Sequence, residues 1–145
     1  KMDKFKPLIN ARMETLMDKV TFKNLIKTSR CLIPADGYIE WKREDNKKVP
    51  YYFTREDKEL IFFAAIHQNN QFCIITRQAS DKIKEIHHRE PLIINRSQIP
   101  NYLNIKKEAV SILNSIKPPE LFFYQIDKMV NNPVNNDPNI IKKVS

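Results

Sequence analysis

Short runs of apolar and polar residues in alternation dominate this chain, and helical spacing is the exception. Residues 31–42, 51–55 (YYFTR), 60–66 (LIFFAAI), 71–76 (QFCIIT), 92–95 (LIIN) and 121–126 (LFFYQI) are rich in β-branched and aromatic side chains and short enough to be strands. The first of these is interrupted at Asp36-Gly37. The polar EDKE between YYFTR and LIFFAAI predicts a hairpin joining those two runs, and Gln68–Asn70 predicts a turn into QFCIIT. PLINAR (7–12) reads as a short strand or extended entry. Residues 13–28 predict two short helical stretches, from Met13, Leu16, Met17 and Val20 and then Phe22, Leu25 and Ile26. Residues 79–86 predict one helix, and 98–116 one or two, ended by Pro118-Pro119; an Asn/Pro-rich tail closes the chain. Sequential strands with a few helices between them predict an α+β fold, a mainly antiparallel, barrel-like sheet with a few flanking helices.

Composition narrows this picture only at a few points. A chain of 145 residues with 41% hydrophobic residues predicts one domain over residues 1–145 with its own core, and argues against disorder. No apolar run approaches membrane-spanning length, so a cytoplasmic protein without a membrane partner is expected. Cys31 and Cys73 lie in apolar runs and read as reduced core residues. The net charge of +8 suits a polyanion such as nucleic acid. Lys, Ile and Asn are abundant while Gly and Ala are scarce, a bias that AT-rich coding also produces, so charge alone moves the odds modestly.

Three polar stretches interrupt the strand pattern. In Ile9-Asn10-Ala11-Arg12 an amide and a guanidinium alternate and so share a face. In Tyr38-Ile39-Glu40-Trp41 a carboxylate follows the only glycine of the chain, Gly37, whose freedom of φ or capacity to bulge would re-aim Glu40 out of the strand face. In Ile86-His87-His88-Arg89-Glu90-Pro91, His87 and Arg89 alternate at the mouth of a strand. Taken singly, each reads more simply as an edge residue, an exposed strand face or a loop.

Their order is more specific. Asn10–Thr15 (NARMET), Arg30–Trp41 (RCLIPADGYIEW), Ile86–Pro91 (IHHREP) and Val130–Pro133 (VNNP) together resemble the SOS response-associated peptidase (SRAP) family, from about residue 8 to the tail. The resemblance implies a DNA-damage response protein that binds single-stranded DNA and crosslinks itself to abasic sites. It implies an N-terminal cysteine whose amine condenses with the sugar aldehyde and whose thiol closes a thiazolidine, after autopeptidase removal of the leading residue. On these motifs Glu40 matches the catalytic glutamate, Asn10 the asparagine that orients the nucleophile, and His87 the catalytic histidine. Arg12, Thr76 and Arg89 match positions that meet DNA, the arginines through its phosphates. His88 then stands where Asp is usual and Glu90 where an apolar residue is usual. Nothing before Asn10 matches the family's opening Met-Cys-Gly-Arg or its first strands, which implies a domain incomplete at its N-terminus. No cofactor or metal is implied, and a monomer is expected.

Two other functions compete. One is a module that holds single-stranded DNA through Arg12, Arg89 and a basic face without chemistry, with steeply salt-dependent affinity. The other is a thiol hydrolase pairing Cys31 or Cys73 with His87, for which no local signature exists. His67, His87 and His88 lack metal-ligand spacing, since adjacent histidines on an extended chain point apart.

Overall fold

A computed structural model describes residues 10–144. In chain order its strands are β1 (Asn10–Arg12), β2 (Arg30–Ala35), β3 (Gly37–Glu44), β4 (Lys47–Arg55), β5 (Ile61–Gln68), β6 (Gln71–Gln78), β7 (Arg89–Pro91) and β8 (Leu121–Gln125). Its helices are α1 (Val20–Thr28), α2 (Asp81–Lys84), α3 (Ile99–Leu103) and α4 (Ala109–Ser115). The fold is α+β with mainly antiparallel sheets and few, short helices, as the sequence predicts. The described residues fall into two compact units. One holds the residues up to Pro34, Phe62–Arg77 and Pro91–Pro118; the other holds Ala35–Ile61, Gln78–Glu90 and the residues from Pro119 on.

The first unit contains a sheet ordered β1-β6-β5-β2. Strands β5 and β6 form a hairpin whose two-residue turn, Asn69-Asn70, has positive φ at both positions, the twist-matched geometry that asparagine tolerates. Strand β1 adds in parallel, with Asn10, Ala11 and Arg12 opposite Ile74, Ile75 and Thr76. Ala11 and Ile75 face the core while Asn10, Arg12 and Thr76 take the other face. Phe22 and Ile26, one turn apart on α1, pack into the same core as Leu92, Tyr102 and Leu113.

Arg30 is the polar exception in that core. Its guanidinium donates to the carbonyls of Ile26 (2.6 Å), Tyr102 (3.0 Å), Asn104 (2.9 Å) and Lys107 (2.7 Å). Desolvation by burial lowers its pKa from the usual arginine value, against the opposing pull of Tyr102 and Glu108. Glu108 caps α4 by accepting from the amides of Val110 and Ser111 at 2.9 and 2.8 Å.

The second unit contains the antiparallel sheet β3-β4-β8. Its β3–β4 hairpin turns at Asp45-Asn46, again with positive φ at both positions. Tyr38 lies opposite Phe53 and stacks on it with centroids 4.8 Å apart, and Phe53 in turn stacks on Phe123 at 5.0 Å.

Four local expectations need correction. The run 51–55 belongs to β4, which pairs with β3 and β8, so no hairpin joins it to 60–66. The polar link builds its own turn instead: Asp57 accepts from Arg55 Nε at 2.9 Å and from the Glu59 amide at 3.0 Å, and Lys58 takes a φ of 59°. The helix expected over 79–86 is one turn, α2, tightened at its end by the Ile86 amide on the Ile83 carbonyl at 2.9 Å. Residues 92–95 form no regular strand. Leu92 bonds both Ile75 and Ala64, Ile94 bonds Phe62, and only Ile93 forms a bridge, with Phe63.

Gly37 is the fourth. Its φ is not positive, so conformational freedom is not why the chain uses glycine there. A Cβ at this position would run into the carbonyl oxygen of Phe53 and lie 2.5 Å from the Tyr52 hydroxyl and 2.6 Å from its ring. Close approach across the strand pair is the reason. Of the stretch 7–12, residues 10–12 are β1 and residues 7–9 lie outside the described residues.

Candidate functional site

Glu40 sits in β3, an edge strand of its sheet, and His87 in the segment between α2 and β7. Although 47 positions separate them in sequence, Glu40 Oε1 lies 3.8 Å from His87 Nε2. That is beyond hydrogen-bond reach and within ion-pair range. Their side chains are 27% and 31% exposed, enough for an incoming atom to reach both. Catalytic hydrogen bonds are often this loose before substrate arrives.

The backbone holds the imidazole at its far side. His87 Nδ1 lies 3.2 Å from both the amide nitrogen and the carbonyl oxygen of Arg89. It accepts from the one or donates to the other according to tautomer, which leaves Nε2, the atom facing Glu40, free to give or take a proton. His88 is exposed and its ring lies 4.6 Å from that of His87, centroid to centroid.

A cleft of about 520 Å³ opens beside this pair. Its walls carry Glu40, Trp41, His87 and His88 together with four cations, Lys42, Arg43, Lys48 and Lys84, against one further carboxylate, Glu85. Such a surface suits an anionic ligand. The sequence reading missed these cations; their signal was the run Lys42-Arg43-Glu44-Asp45-Asn46-Lys47-Lys48, which alternates with no apolar residue.

Trp41 is steered by the last motif. Its indole Nε1 donates to Oδ1 of Asn131, the first asparagine of VNNP, so that motif serves the site by fixing a wall. Tyr38 is less available for stacking on a base, because Phe53 covers one ring face. Burial, then the nearby carboxylates of Glu90 and Glu40, push its phenol pKa well up, so it stays neutral. Glu90 itself is buried and accepts from Ser80 Oγ at 3.1 Å.

Of the expected site residues, Glu40 and His87 are brought together in the second unit, and Arg89 meets His87 through its backbone. Asn10, Arg12 and Thr76 are brought together in the first, where Arg12 and Thr76 are register partners of the parallel pair. Arg77, beside Thr76, donates to the Ile116 carbonyl at 2.7 Å, so part of its guanidinium serves the fold. Cys31 and Cys73 are free thiols in the first unit, and burial pushes both pKa values up, the opposite of what a nucleophilic thiol needs. Among the described residues no three His, Cys, Asp or Glu side chains converge as a metal site, and no helix is long and apolar enough to cross a membrane.

The chain is similar to known proteins. The family described as SOS response associated peptidase (SRAP) matches residues 1–133. The chain is 33% identical over 149 residues to abasic site processing protein YoqW of Bacillus subtilis, an alignment covering 93% of this chain and 66% of that protein. It is 32% identical over 151 residues to abasic site processing protein YedK of Escherichia coli, covering 95% and 68%. A crystal structure of a protein from Bacteroides thetaiotaomicron matches with a TM-score of 0.81 and 27% identity, covering 94% of this chain and 66% of that one. The chain thus spans about two thirds of the length of each of these relatives. It belongs to the SOS response associated peptidase (SRAP) family.

Proposed function

We propose that this chain acts on abasic sites in single-stranded DNA, with Glu40 and His87 moving the protons of a covalent reaction at the sugar aldehyde. The observation that carries the reading is the Glu40–His87 pair, 3.8 Å apart at the mouth of a basic cleft. The relatives named as abasic site processing proteins support it. An abasic deoxyribose opens to an aldehyde when its ring oxygen gains a proton and its hydroxyl loses one. A carboxyl group in contact range of an imidazole suits that exchange, one giving a proton while the other takes one. An amine then condenses with the aldehyde, losing water, and a neighbouring thiol adds to the C=N bond to close a thiazolidine, its proton passing to nitrogen.

In this reading Asn10 orients the amine, as the resemblance implies, and Arg12, Thr76 and Arg89 hold the strand without reading its sequence. The family match over residues 1–133 supports treating the chain as one SRAP domain, and in this reading it acts as a monomer. A second reading is non-covalent binding of single-stranded DNA. The four cations lining the cleft support it, since contacts to phosphates need no nucleophile.

The test is a denaturing gel of the chain incubated with single-stranded DNA bearing one abasic site. It is run on the 145-residue chain and on a chain preceded by a segment that begins with cysteine. A heat-stable shifted band is expected in the second, slowed by about 100-fold or more in Glu40→Gln and His87→Ala. Unchanged rates in both variants would remove them from the reaction, and no band in either chain would leave the non-covalent reading.

A further inference from the structure

The tip of the β3–β4 hairpin carries an arrangement that costs stability unless something anionic lies on it. Arg43 and Lys48 stand directly opposite each other in the strand register, and both are exposed. Like charges in that position repel. The neighbouring charges are balanced: Lys42 pairs with Glu44 at 3.3 Å, and Lys47 is the register partner of Glu44. Among the described residues neither Arg43 nor Lys48 has an ion-pair partner. Both line the cleft beside Glu40 and His87, and both also line a second cavity of about 290 Å³ with Asp45, Asn46 and Lys47. The two cavities therefore meet at this like-charged pair.

We infer that Arg43 and Lys48 form a second anion subsite that seats a backbone phosphate of single-stranded DNA next to the nucleotide held at Glu40 and His87. The inference rests on the DNA-binding part of the reading above and adds a place for the strand to continue. Arg43 is three residues along the strand from Glu40, about 10 Å at the usual rise; its side chain leaves the opposite face of this edge strand, so it meets a neighbouring phosphate where the cleft turns round the edge, and not the reacting sugar. The Asp45-Asn46 turn holds the two strands in one register, so the two cations are presented together on a stiff ribbon. A guanidinium and an ammonium side by side give one forked and one point contact to phosphate oxygens. No base edge need be touched, so the subsite is indifferent to sequence.

The experiment measures binding of a fluorescent oligothymidylate without any abasic site, by anisotropy across a salt series. The proteins are the chain, the Arg43→Ala/Lys48→Ala double variant, and a Lys58→Ala/Lys142→Ala control with the same charge loss. The double variant is expected to bind at least tenfold more weakly than the control. Its plot of log affinity against log salt should also be shallower by about 1.4, two phosphate contacts at about 0.7 each. Its melting temperature at low salt should equal or exceed that of the parent, since a repulsion has been removed; this also establishes that the variant folds. Binding and salt slope equal to the control would overturn the inference. So would displacement of the DNA by polyglutamate at equal charge concentration, which would make the subsite one for acidic peptides. Because the oligonucleotide has no aldehyde, these results are independent of the crosslinking gel: either reading can fail while the other stands.

Discussion

Arg30 and the Glu40–His87 pair are two places where this protein turns strong polar groups inward, and they are built in opposite ways. Arg30, in the first unit, is buried and meets four carbonyls at 2.6–3.0 Å. Glu40 and His87, in the second, are about 30% exposed and stop 3.8 Å apart. Four of the guanidinium's five N–H groups are committed to backbone from α1, α3 and the loop before α4, so it ties those segments together and has little left for a ligand. The acid and the imidazole are held from behind, by the strand and by Arg89, and unfinished in front. A polar cluster whose hydrogen bonds are complete serves the fold, and one left a few tenths of an ångström short keeps atoms available to a ligand.

Substitutions can break that contrast. Arg30→Ala leaves buried carbonyls without donors and should lower unfolding free energy by on the order of 3 kcal/mol. Arg30→Lys should recover only part of this, because an ammonium cannot span the same fork. Glu40→Gln and His87→Gln should each change stability by less than about 0.5 kcal/mol, as for a loose, partly exposed pair. Urea denaturation of the four variants decides it. A large loss from Glu40→Gln would mean that the pair is structural after all, and a negligible one from Arg30→Ala would mean that water replaces the guanidinium.

The same contrast explains what could be read from the chain alone. Runs rich in β-branched and aromatic residues located β3, β4, β5, β6 and β8, although β5 is buried at four successive positions and writes no period of two. The Asn69-Asn70 turn was legible because positive φ selects such residues. Sheet membership was not. YYFTR and LIFFAAI are adjacent and both strand-like, and only the pairing of β4 with β8, some 70 residues on, shows that they part company. The site was legible as motifs and invisible as geometry: nothing in the spacing of Glu40 and His87 says that they meet. Arg30 was seen as part of RCL, yet its carbonyl partners run from Ile26 to Lys107, beyond any local pattern. The cations of the cleft look in sequence like an ordinary solvated run, and their opposition across the hairpin appears only in the register.

Gly37 extends the comparison to backbone. It lies at the start of the strand that carries Glu40, and its surroundings are as complete as those of Arg30. Gly37→Ala places a methyl group against the Phe53 carbonyl and the Tyr52 ring. Overpacking of this kind should cost about 1–3 kcal/mol. In a Tyr52→Leu background the added cost should shrink, since one of the two obstacles is gone, while the Phe53 carbonyl remains. Thermal unfolding of the four members of that cycle measures the coupling. Additive effects would mean that the carbonyl alone excludes a side chain here, and no effect of Gly37→Ala would mean that the strands separate to admit it.

The smallest effect concerns the wall of the site, where a complete hydrogen bond meets an open cleft. Trp41 is the single tryptophan of the chain, so its emission reports one environment. Its indole donates to Asn131, and removing that acceptor with Asn131→Ala should cost about 1 kcal/mol, as for one partly exposed hydrogen bond. The more telling readout is fluorescence. With the bond intact the ring is fixed along the cleft that Glu40 and His87 share, and oligothymidylate should change its emission in a saturable way. In Asn131→Ala the free protein's spectrum should shift and the DNA-dependent change should weaken, while Asn131→Asp, which keeps an acceptor oxygen, should restore the parent spectrum. If Asn131→Ala leaves both spectra unaltered, Trp41 is held by strand packing alone and VNNP acts on some other part of the unit. If the spectrum moves but DNA still perturbs it equally, the bond belongs with Arg30 to the fold and not with Glu40 and His87 to the site.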